Sequence, residues 1–112
     1  MSRRELYRAA QDSVLLAVEF VVTTTFSADA TDYWTIDVRR VRGDEAFGQD
    51  VSEQFSLATH TLTAGEPVTL YEDDHGFDLE ADDRIVAELT ENGSPSALDN
   101  PVFWLKVQPT TR

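Results

Sequence analysis

The chain has 112 residues, with 21 Asp and Glu against nine Lys and Arg, a net charge of −12 and no cysteine. That length fits a single domain with a real core, and the missing thiols exclude disulfides, cysteine-ligated zinc, iron–sulfur clusters and thiol catalysis. The acid excess argues against a free nucleic-acid binder, which needs clustered cations to neutralise phosphates, and no stretch nears the roughly 20 apolar residues of a membrane span.

Lys106 is the only lysine; the other basic residues are arginines. Dense carboxylates with almost no lysine suit molar salt, where the Debye length shrinks to about 3 Å and like charges barely repel. A high-GC genome, whose codons favour Arg, Asp and Ala, gives a similar composition. The segment from Met1 to Tyr7 lacks the apolar run of a signal peptide, so ordinary secretion is not expected.

Residues 1–12 carry Arg3, Arg4 and Arg8 beside Glu5, Leu6, Tyr7 and Asp12. They could wind a short helix, but they hold too little apolar surface to fold alone. The expectation is a short N-terminal arm, packed on the body or on a neighbouring molecule. Its local positive charge on an acidic protein suits docking to an acidic surface; a disordered terminus is the plainer alternative. Residues 13–112 read as one β domain.

Ser13–Phe26 alternates as a long strand, with Val14, Leu16, Val18, Phe20 and Val22 on one side and Leu15, Ala17, Glu19, Val21 and Thr23 on the other. Two apolar sides imply burial on both, or a subunit contact. Residues 27–32 are turn-rich. Tyr33–Arg42 is the second strand, with Trp34, Ile36 and Val38 on one face; its Arg39-Arg40-Val41-Arg42 end reads as an exposed basic edge. Val51–Leu62 is a third segment with Val51, Phe55, Leu57 and Leu62 inward, and Val68–Tyr71 is a short strand. Glu72–Asp83, with seven carboxylates, reads as an acidic loop. Arg84–Glu91 and Val102–Gln108 are the last strands, joined through the Asn92-Gly93-Ser94-Pro95 turn. Short strands with frequent turns predict an all-β fold: an antiparallel, jelly-roll-like β-sandwich.

Chemistry-bearing motifs are sparse. His60 and His75 have no nucleophile and acid in a recognisable arrangement, and the five glycines are scattered at turns rather than forming a phosphate loop. No enzyme is expected. A calcium loop starting at Asp73 fails, because Asp78 stands where the glycine belongs and Arg84 where the final Glu belongs. A looser site for Na⁺, K⁺, Ca²⁺ or Mg²⁺ on Asp73, Asp74 and Asp78 stays open beside the plain reading of a solvated acidic loop; no cofactor is expected. Tyr33, Tyr71, Phe77 and Trp104 are candidates for stacking on sugar rings. Trp104 alternates with Phe103 and Leu105 and so faces away from the core, which marks a contact with a glycan or, more in keeping with the two-sided first strand, with another subunit.

Two stretches together carry a resemblance. One is Phe26 to Val38, with Asp29, Thr31, Tyr33, Trp34, Thr35 and Ile36; the other runs from Leu79 through Asp82-Asp83 to Gly93 and on to Pro101–Val107. The pattern resembles small β-sandwich virion proteins of tailed viruses: capsid decoration, cement, turret or head–tail proteins. The resemblance covers about residues 14–108 and departs at Asp82, where glycine is usual. It implies a non-enzymatic structural protein, made in the host cytoplasm and built into the virion, with the major capsid protein or other virion proteins as partners and a homo-oligomer, a trimer foremost. With the composition, it implies a virus of a halophilic archaeal host. Arg3, Arg4, Tyr7, Arg8 and Trp104 are the expected partner-binding residues; no nucleic-acid or membrane partner is expected. The alternative is a carbohydrate- or cation-binding β-sandwich module on a virion or cell surface.

Overall fold

The structure, a computed structural model, describes residues 2–98 and 101–110. Met1 and residues 111–112, the outer ends of the arm and the β domain read from sequence, lie outside the described residues. The described residues form eight strands in two packed antiparallel sheets: β1 (Ser2–Arg8), β2 (Ser13–Val21), β3 (Tyr33–Val41), β4 (Gln49–Asp50), β5 (Phe55–Ser56), β6 (Val68–Leu79), β7 (Arg84–Asn92) and β8 (Val102–Pro109). The larger sheet runs β1-β7-β3-β4, with β5 also on β3; the smaller runs β6-β2-β8. Most successive strands switch sheets, as in a jelly roll. The all-β sandwich is the fold that the alternation implies.

The core lies between the sheets in two contiguous clusters. One is built on Leu15, Val18, Val38, Leu79 and Ile85; the other on Phe20, Ile36, Leu57, Leu62 and Ala87. Phe20 links strands of both sheets, stacked on Phe103 at 5.8 Å and edge-on to Phe55 at 5.9 Å.

The alternation read for the first strand is corrected by a β-bulge. The register with both neighbours shifts between Leu15 and Ala17. Before the shift the inward residues are Ser13 and Leu15; after it they are Val18, Phe20 and Val22. One extra residue reverses which parity faces the core. Val14 and Leu16 therefore sit on the outer side, half-buried.

The acidic loop is also corrected. Residues 68–79 form one strand, β6, which bulges around Asp73–Gly76: Ala17 pairs with Glu72 and Leu15 with Phe77. Gly76 has φ 80°, and a Cβ there would crowd Val14 Cβ and Leu16 Cδ2, each at 3.0 Å. Only glycine lets the bulge lie against the bulge of β2.

The N-terminal segment packs on the body, as an edge strand rather than a helix. Ser2–Arg8 pairs with β7 from Leu89 to Arg84. Leu6 and Tyr7 pack on the core, and Ala9 is fully buried. The Arg39–Arg42 end is not an edge, since β3 lies between β7 and β4. Val51–Leu62 is mostly irregular, yet Val51, Leu57 and Leu62 are buried as expected.

Candidate interaction surface

The expected partner-binding residues divide between two parts of the molecule. Arg3 donates through Nη2 to Glu88 Oε2 at 2.7 Å and through Nη1 to the Ala46 carbonyl at 2.9 Å. Glu88 pairs directly with Asp37 on β3, which accepts from Gln54 Nε2 at 3.0 Å. Arg3, Glu88, Asp37 and Gln54 thus make a polar row across the outer side of the larger sheet. Arg4 donates to the Pro101 carbonyl at 3.0 Å and holds its guanidinium 5.9 Å from the Phe103 ring centre. Tyr7 is half-buried, and Arg8 stays exposed, 3.8 Å from Glu5. The cations of the first strand are therefore largely engaged within their own fold, and the structure does not bring them together with Trp104.

Trp104 lies on the outer face of the smaller sheet and is 67% exposed. The register sets its neighbours in rows. Trp104 pairs with Glu19, and Glu19 with Thr69; Val102 pairs with Val21. Lys106 pairs with Ala17, which pairs on its other side with Glu72; Gln108 pairs with Val14, and Val14 with Asp78. Val102 is 47% exposed. Between Trp104 and Pro67 runs a depression of about 340 Å³, lined by Glu19, Val21 and Gly65 as well. An apolar corner of Trp104, Val102, Val21 and Pro67 thus adjoins a polar half, with Lys106 on one side of β2 and Glu72 on the other. Val102 was legible in the sequence, two residues before Trp104 on one strand. Pro67 was not, because it enters from a turn.

The other candidates are placed differently. Asp73, Asp74 and Asp78 are exposed on β6, and among the described residues no group of three or more His, Cys, Asp or Glu is placed to hold a metal ion. Tyr33, Tyr71 and Phe77 are half-buried against the core, and the Arg40 guanidinium covers Phe77 at 5.8 Å. Burial, with the nearby Asp73 charge second, pushes the Tyr71 hydroxyl above its ordinary pKa. The ring of His60 lies 4.6 Å from Phe55, with Nδ1 2.9 Å from the Ser56 carbonyl. A second opening, of about 390 Å³, lies between Thr24–Asp32 and Ser94–Ala97. Its carboxylates are occupied: Asp29 Oδ1 accepts the N–H groups of Thr31 and Asp32, and Asp32 Oδ1 that of Ser94.

Asp83 is the most buried carboxylate among the described residues, 1% exposed. It accepts from Arg42 Nε at 2.9 Å, Arg42 Nη2 at 3.0 Å and the Glu80 N–H at 2.7 Å. Burial pushes its pKa up, but the Arg42 and Glu80 hydrogen bonds and the charges of Arg42 and Arg40 outweigh that and hold it below the ordinary carboxylate value. Its backbone oxygen accepts the Ala9 N–H at 2.8 Å. The side chain thus clasps Arg42, just after β3, to the β6–β7 turn, and the backbone oxygen ties in the β1–β2 link. Asp82, where the resemblance has glycine, takes φ 72° in that turn.

Comparison with protein-family models, curated proteins and solved structures finds no match.

Proposed function

We propose that this chain is a non-enzymatic structural protein of a virus particle, one that decorates or cements the head of a tailed virus of a halophile. The observation that carries the reading is the outer face of the smaller sheet, where Trp104, 67% exposed, stands beside Val102 at 47%. Large apolar side chains grouped on one face of a small acidic domain mark a contact surface. Burying the exposed part of one Trp, on the order of 170 Å², contributes roughly 4 kcal/mol before the entropy of association is subtracted. In molar salt such burial outlasts exposed ion pairs, which are screened over about 3 Å. The near absence of lysine supports a high-salt setting.

The partners are then the major capsid protein or other virion proteins, a second copy of this chain among them, met in the host cytoplasm during assembly. The role is added buried area between neighbours, without bond chemistry. The sugar-binding alternative loses support because three of its four aromatics are packed against the core. Mass spectrometry of particles purified from the host that carries the gene tests the proposal. The protein is expected in fixed ratio to the major capsid protein; particles that lack it would contradict the reading.

A further inference from the structure

We infer that the outer face of the smaller sheet pairs with the same face of a second copy about a two-fold axis parallel to β2. The inference rests on reading this face as the contact surface and names its occupant. The row order carries it. Ala17 has Lys106 on one side and Glu72 on the other, at one level of the sheet. Neighbouring strands lie about 4.8 Å apart, so β6 and β8 are displaced equally to either side of β2. A two-fold along β2 lays β8 of each copy over β6 of the other. Lys106, the only lysine, then faces Glu72 of the second copy, with Asp73 and Asp74 beside it, and the contact occurs twice. Trp104 falls over Thr69 of the second copy, at the Pro67 side of the depression, while Val21 and Ala17 stack near the axis. A two-fold across the strands would instead lay β8 on β8, a strand with no carboxylate to meet Lys106.

The area sets the strength. Three strands of about nine residues, at about 3.3 Å rise and 4.8 Å spacing, offer roughly 430 Å² per copy, below the ~800 Å² of a standard interface. The pair is weak alone and gains from any lattice that raises its local concentration. Glu19 meets its symmetry mate near the axis, so pairing weakens as salt falls and its screening is lost.

Sedimentation equilibrium in about 3 M KCl, over a concentration series, tests the pairing under near-complete screening. Wild type is expected to show a monomer–dimer equilibrium, W104A a monomer, and E19Q a tighter pair. At the lowest salt where wild type still pairs, K106E alone and E72K alone should each associate about tenfold more weakly. Mixed together they should form a heterodimer. The carboxylate introduced in one variant then faces the amine introduced in the other, and the second contact keeps its native Lys106 and Glu72. Melting curves close to wild type show that these surface variants fold. A trimer, a wild type that stays monomeric, a dimer indifferent to W104A, or no preference on mixing would each overturn the inference. A monomer still present in virus particles refutes the pairing and leaves the virion role standing; a dimer absent from particles does the reverse.

Discussion

Replacing Asp83 by Asn probes the clasp that holds Arg42, just after β3, to the β6–β7 turn. The carboxylate is 1% exposed and receives two hydrogen bonds from Arg42 and one from the Glu80 N–H. Asn keeps the shape and one acceptor but removes the charge. Losing a buried ion partner outright costs about 3–5 kcal/mol. Arg42 is 42% exposed and regains water, so a discounted loss of about 2 kcal/mol is expected. On a domain of this size that lowers Tm by on the order of 8 °C. The pH dependence gives the sign. The folded pKa lies below the unfolded value, so the stabilisation is fully present above the unfolded pKa of about 3.9 and is lost as pH falls through the folded pKa. Urea unfolding of wild type and D83N should therefore show a gap at pH 7 that closes in acid. A gap below about 0.5 kcal/mol at pH 7, or one that widens as the pH falls, would refute the reasoning.

Three further outcomes are expected. D82G should raise stability by about 0.5 kcal/mol, since relief of left-handed strain exceeds the added chain entropy; a lower Tm would contradict the turn geometry. Deleting residues 1–8 should cost about 3 kcal/mol, because Leu6 and Tyr7 leave the core and β7 loses one of its two partners; an unchanged melt would show that β1 contributes nothing. Lowering KCl from molar to about 0.1 M should lower Tm through carboxylate repulsion; a salt-indifferent melt would count against the high-salt reading.

Much of the sandwich was legible in the alternation of apolar residues. Ile36 and Val38, Ile85 and Ala87, and Phe103 and Leu105 keep strict period two, and their strands lie where that pattern puts them. Three places were not legible. In β2 a single bulged residue reverses the inward parity, and both parities are apolar, so the sequence gives no mark of the shift. In the second half of β6, residues 72–79, the carboxylates conceal a strand that has only Phe77 and Leu79 left to show alternation, and pairing with β2 overrides their poor β propensity. In β1 the arginines mask an edge strand whose outer row is neutralised by Glu88, 85 residues away in sequence. Trp104 was readable as outward because its neighbours alternate cleanly. Its setting beside Pro67 depended on a turn that no periodicity reports.

The most direct measurement of the proposed virion role is co-sedimentation of wild type and W104A with virus particles purified from the host that carries the gene, freed of any bound copies of this protein and held in about 3 M salt, where screening leaves apolar burial as the main attraction. Wild type should load to a fixed stoichiometry and W104A should stay in the supernatant while melting like wild type. Equal loading of both would show that attachment to the particle does not depend on the contact made by the outer face of the smaller sheet.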